Sequence, residues 1–142
     1  MANIQPVYAA TATTLTVSGL LGLANGSSAT SANVTNTAYL DVLIFAQITT
    51  GSGALATGVI EVYAAGSADG VYFDTVGNDK WIGTMPLVSA GTQVVNRVMS
   101  IASSFGGTLP PFWRIRFRNS TGAAFNGTGC SASYRGVSAQ TV

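Results

Sequence analysis

The chain has 142 residues and is 47% hydrophobic, yet only 8% of it is charged, against about 25% in an ordinary soluble domain. Six basic and five acidic residues leave a net charge of +1, and there is no histidine. That length suits one domain with its own core, the missing histidine removes the commonest general base and metal ligand, and near-neutrality disfavours binding to phosphate backbones.

In chain order the sequence reads as short β-strands divided by turn-formers, with no helical period beyond one turn at Leu20 to Ala24. The opening "MANIQPVYAATATT" has neither a basic start nor a continuous apolar core, so no signal peptide is expected. Residues 1–17 form an extended N-terminal segment, Thr-rich from Val7 to Val17, that is able to add a strand to a neighbour. Gly22 to Ala38, "GLANGSSATSANVTNTA", reads as a long polar loop; loops of that length carry a function, such as an arm toward a partner, or stay disordered. "YLDVLIFAQIT" (Tyr39 to Thr49) is apolar at nearly every position, the pattern of a central strand covered on both faces. Its apolar run Val42 to Ala46 is far too short to cross a bilayer.

From Gly58 to Ala65, Ile60, Val62 and Ala64 alternate with Val59, Glu61 and Tyr63. Asp69-Gly70 then predicts a tight hairpin into "VYFDTV", because such a turn needs positive φ. "WIGTMPLV", "TQVVNRVMSI", "FWRIRFRN" and "CSASYRGV" supply further strands, and Pro86, Pro110 and Pro111 belong at strand margins because proline cannot donate to a ladder. "SSFGGTLPP" (Ser103 to Pro111) is a second irregular connection, a solvated loop or another arm. Cys130 has no intrachain disulfide partner and no second thiol for zinc, so it reads as a small core residue in a strand. Roughly seven to eight strands without intervening helices imply an all-β fold. The expected architecture is a single domain over residues 1–142, an antiparallel, jelly-roll-like β-sandwich, with an up-and-down barrel as the alternative.

Enzymatic chemistry finds little support. "GSADG" lacks the order of a nucleophile elbow, no phosphate-cradling loop occurs, and Lys80 is the sole lysine. Asp69, Asp74 and Asp79 fall at intervals of five but without the ligand spacing of a calcium loop, so turn chemistry explains them better. Glu61 is alone on its strand, which leaves no paired carboxylates for glycoside hydrolysis. No catalytic residue, metal or cofactor is assigned.

What remains is "PPFWRIRFRN", where Trp113, Ile115 and Phe117 alternate with Arg114, Arg116 and Arg118. Half of the basic residues thus form one row, and Arg135 joins it if the last strand pairs alongside. Nucleic-acid phosphates could take up such a row, but the net charge of +1 and the single lysine weigh against that, and two further readings remain. In one, Arg114, Arg116, Arg118 and Arg135 form a partner interface, reaching carboxylates and carbonyls with bidentate geometry. In the other, they pair across strands with Glu61 or the aspartates, or stack on aromatics. Low charge together with abundant small polar residues points to a component of an assembly.

The ordered motifs "SSATSANVTNTAYLDVLI", "VYAAGSADGVYF", "SSFGGTLPPFWRIRFRNSTGAAF" and "SASYRGV", spanning Ser27 to Val137, resemble a group of short proteins encoded among the virion genes of tailed bacteriophages. The resemblance implies a virion structural protein. The role that best suits the chain is capsid decoration, or cement, with the protein binding the outer head surface as an oligomer. Its expected partners are copies of itself, as a homotrimer, and the major capsid protein. Its expected location is the virion surface after synthesis in the bacterial cytoplasm, with no membrane or nucleic-acid partner. A tail, collar or baseplate component, including a host- or glycan-binding module, is the alternative. Tyr8, Tyr63, Tyr72 and Tyr134 are the aromatics a sugar groove would draw on.

Overall fold

Strict alternation of side-chain environment runs through the long strands, so that every second residue of Asp41–Thr49 and of the first part of Val59–Ser67 is buried. The computed structural model describes residues 3–141. Its strands are β1 (Ile4–Tyr8), β2 (Thr13–Thr14), β3 (Ser28–Thr30), β4 (Val34–Thr35), β5 (Asp41–Thr49), β6 (Val59–Ser67), β7 (Lys80–Pro86), β8 (Val94–Ser100), β9 (Phe112–Ser120) and β10 (Ser131–Thr141). One 3₁₀ turn, Ala102–Phe105, lies between β8 and β9.

The pairing is nested. β6 pairs with β7, β5 with β8, β3 with β9 and β1 with β10, all antiparallel. This long double arm rolls into two sheets of order β1-β10-β5-β8 and β3-β9-β6-β7, with β2 beside β10 and β4 beside β9. That interleaved order is a jelly-roll sandwich. Between the sheets lie Val42, Ile44 and Ile48 of β5, Ile60 and Val62 of β6, and Trp113, Ile115 and Phe117 of β9, all essentially without solvent exposure. Trp113 meets Tyr134 of the opposite sheet edge-on, with ring centroids 5.1 Å apart, an arrangement aromatic quadrupoles favour. On the side where β7 and β8 come together, the Arg97 guanidinium donates to the Thr84 carbonyl.

Several expected features take a different form. Gly22 to Ala38 is not a free loop, because β3 and β4 bind it to β9. Between them Ser31 acts as a further rung: its N–H donates to the Ile115 carbonyl at 2.8 Å, and its Oγ accepts the Ile115 N–H at 2.9 Å. The N-terminal segment, from Ile4 onward, pairs with β10 of its own chain; Met1 and Ala2 lie outside the described residues. "VYFDTV" is not a strand, and β6 pairs instead with Lys80–Pro86. Gly70 does take positive φ, 77°, but the Asp69 carboxylate accepts the N–H groups of Val71 and Tyr72, so they cannot join a ladder. "SSFGGTLPP" is folded against the sandwich, with Ser104 Oγ donating to the Trp81 carbonyl at 3.2 Å. Cys130 precedes β10, packed against the core, and partial burial pushes its thiol pKa up.

At one end of the sandwich the loops are knitted together. Leu55 N–H donates to Thr121 O, Gly91 N–H to Ala54 O, and Phe125 N–H to Leu23 O. Fully buried Asn119 is the hub, donating to the carbonyls of Leu23 at 2.7 Å and Ala123 at 2.8 Å while accepting from Thr121 N–H and Oγ1. Asn119→Ala leaves these groups buried and unpaired and is expected to lower stability by about 3 kcal/mol. Urea denaturation, read by the fluorescence of buried Trp113, measures it; a loss of only a few tenths of a kcal/mol would remove Asn119 from that role.

Candidate functional site

The arginine row lies on the outer face of the second sheet, where β9 runs between β3 and β6. Arg116 is buried: its Nε donates to Asp79 Oδ2 at 2.6 Å, its Nη1 to Ser28 Oγ at 3.1 Å, and its guanidinium carbon stands 4.1 Å from the centroid of the Tyr63 ring. Arg114 lies over Phe73 at 4.6 Å. Arg118 reaches Glu61 at 3.5 Å with half of its side chain exposed, so that pair contributes little. Burial, aided by a hydrogen bond to Glu61, pushes the Tyr63 phenol pKa above its usual value.

Arg135 is not part of this row. Its strand, β10, belongs to the other sheet and pairs with β1, β2 and β5. The four arginines therefore do not form one surface, and Arg116 is engaged within the chain. The alternation on β9 was legible in the sequence; the loop that folds back over it was not.

That loop, residues 68–79, joins β6 to β7. Asp79 and Phe73 tie it to Arg116 and Arg114, and Asp74 ties it to the end of β6: Gly66 N–H donates to Asp74 Oδ2 at 3.0 Å, and Asp74 N–H donates to the Gly66 carbonyl at 3.1 Å. Asp69 closes the first turn, where the Tyr72 N–H above all, then the Val71 N–H and Ser67 hydroxyl, holds its carboxyl below the ordinary range. The aspartates spaced by five are thus three separate tethers. Among the described residues no group of three carboxylates or thiols gathers as a metal would require.

Against this loop stands the connection from β8 to β9, and the two flank a broad, open cleft of about 590 Å³. Tyr72, Phe73, Phe105, Pro110 and Pro111 provide its apolar walls, with Asp74, Thr75 and Asn78 at the polar side. Gly66 lies at its base, where a Cβ would come within 2.9 Å of Phe105 and 3.0 Å of Pro110. Of the four tyrosines marked for a sugar groove, Tyr72 lines the cleft and is 82% exposed; Tyr63 lies under Arg116, Tyr134 packs on Trp113, and Tyr8 belongs to the other sheet. Phe105 and the prolines carry no sequence signal that would have joined them to Tyr72.

The outer face of the first sheet has a different character. Phe45 stands opposite Val98 and Ser133, Leu43 opposite Ser100 and Arg135, and Thr49 opposite Val94. Val94 and Val98 are more than half exposed, and Leu43 and Phe45 are only partly buried. Among the described residues, nothing supplies the expected cover over the outer side of β5. Within that face, Arg135 Nε is buried without a hydrogen-bond partner among the described residues.

No protein-family model matches the chain, and no curated protein matches it. One solved structure similar in fold is a chain from the structure of infectious bursal disease virus Gx strain, at 13% identity and a TM-score of 0.38; the likeness covers 99% of this chain and 32% of that one. This chain therefore spans about a third of the length of that protein. Among the described residues no helix is long and apolar enough to cross a membrane.

Arg116→Ala strands buried Asp79 and is expected to lower stability by about 3–5 kcal/mol, whereas Arg118→Ala should stay within about 0.5 kcal/mol. Denaturant titration of the two variants separates them, and equal effects would contradict the tethering role. Because the Asp69 pKa is depressed in the folded chain, its contribution is present above the unfolded carboxylate pKa and lost as pH falls through the folded value. Amide exchange at Val71 and Tyr72 should accelerate over that acidic window before global unfolding; unchanged protection there would show the turn stands without Asp69.

Proposed function

We propose that this protein is a virion structural subunit, a decoration protein that binds the outer surface of a tailed-phage head as an oligomer. The observation that carries the reading is the outer face of β5: a central strand with hydrophobic residues on both sides, one of which the described residues leave partly open. Large exposed apolar patches mark association surfaces. Arg135 adds a specific demand, since a partly desolvated guanidinium without an acceptor gains most from a carboxylate or carbonyl on a partner. Jelly rolls recur in viral capsid and lectin domains, which is support by fold analogy alone. The sequence resemblance to phage virion proteins points the same way. In this reading the first sheet meets neighbouring copies or the major capsid protein, and the arginine row on the second sheet is internal scaffolding.

Gold-labelled antibody on intact particles tests the location: label over the whole head is expected, and label confined to a vertex or the tail would replace decoration with a collar or tail role. The surface is tested by Val94→Asp with Val98→Asp, both at exposed positions. That variant should keep its melting temperature within a few degrees but lose particle binding or self-association, measured by co-sedimentation and analytical ultracentrifugation. Retained binding would direct attention away from this face.

A further inference from the structure

We propose that the cleft between residues 68–79 and the β8–β9 connection is a binding site for uncharged saccharides. Its volume of about 590 Å³ falls within the range of small-molecule sites, roughly 300–1,000 Å³. Three aromatic side chains, Tyr72, Phe73 and Phe105, line it together with two prolines. The axial C–H groups of a pyranose carry slight positive charge and pack against the electron-rich face of such rings.

The polar side of the cleft suits the hydroxyls. Asp74 Oδ2 is held by the Gly66 N–H, which orients the carboxylate and leaves Oδ1 without a hydrogen-bond partner among the described residues. Asn78 donates through Nδ2 to Thr75 Oγ1 at 3.2 Å, leaving its own Oδ1 unpartnered there as well. These are acceptors, and sugar hydroxyls are donors. No lysine or arginine lines the cleft and Asp74 is its single charged group, so phosphates and acidic sugars are disfavoured. A proline-rich peptide would also stack on aromatics, but it presents backbone carbonyls and so needs donors along the groove.

The loop is held ready. Three of the chain's five acids tether it, through Asp69 to its own turn, Asp74 to Gly66 and Asp79 to buried Arg116. A wall fixed before the ligand arrives lowers the ordering cost of binding.

The test is an array of neutral hexose and N-acetylhexosamine oligosaccharides probed with the full chain, beside the Tyr72→Ala variant and a proline-rich peptide array. Tyr72 is 82% exposed, so its loss should leave the melting temperature unchanged. Binding to one or more neutral oligosaccharides is expected, weakened at least about tenfold in the variant. The proposal is overturned by no binding across the array, by binding that Tyr72→Ala does not weaken, by binding restricted to acidic glycans, or by capture on the peptides instead. The Val94→Asp, Val98→Asp variant should bind sugars like the parent, so failure of the decoration reading and failure of this one are distinguishable.

Discussion

Everything in the molecule hangs on one topological constraint, the nesting of four antiparallel strand pairs along a single rolled arm. Because β1 pairs with β10, β3 with β9, β5 with β8 and β6 with β7, the connections gather in two groups, one at each end of the sandwich. One end receives the loops tied together through Asn119 and Thr121. The other receives the β6–β7 hairpin tip and the β8–β9 connection, which meet across a gap. The fold thus separates a closed, hydrogen-bonded end from an end that has room for a ligand.

Sparse charge makes each ionic contact informative. The ion pair between Arg116 and Asp79 is withdrawn from solvent, with side-chain exposures of 9% and 3%, and a pair in that setting is costly to break from either side. The longer pair of Arg118 with Glu61, at 3.5 Å, is open to water and screened. Two ion pairs on one strand, two residues apart, therefore differ in consequence because one is covered by residues 68–79 and the other is not. The cover comes from the hairpin tip folding down over the outer face of its own sheet, a job that surface side chains or a partner would otherwise fill.

Much of this was legible in the sequence, and the exceptions have physical causes. Period-two alternation in "GVIEVYAA" and "FWRIRFRN" identified β6, β9 and their buried faces, since burial on one side of a sheet imposes that period. It misled at Gly22 to Ala38, where the strands are held by small side chains and by the Ser31 hydroxyl rather than by large apolar residues. At Asp69-Gly70 the turn residues were identified but their extent was not, because a carboxylate that captures the following N–H groups lengthens a hairpin loop without changing its signature. Arg135 could not be placed from its own strand, since which sheet a terminal strand joins is decided by pairings far away in sequence. The cleft is of the same kind: Tyr72 and Pro110 come together only through the roll.

The position of β10 also bears on how the chain is made. β10 lies in the interior of its sheet, with β1 and β2 on one side and β5 on the other. During synthesis β5 through β9 precede β10, so β6, β7 and β9 have their pairing partners within the chain before Ser131–Thr141 are made. The first sheet stays split until those residues leave the exit tunnel, with the inward faces of Val42, Ile44 and Ile48 lacking their neighbour and β5 showing a bare edge. Unpaired apolar edges of this sort attract other nascent chains and chaperones. Closure of the first sheet therefore waits on insertion of β10 between β1 and β5, and until then the open edge of β5 is a site for aggregation.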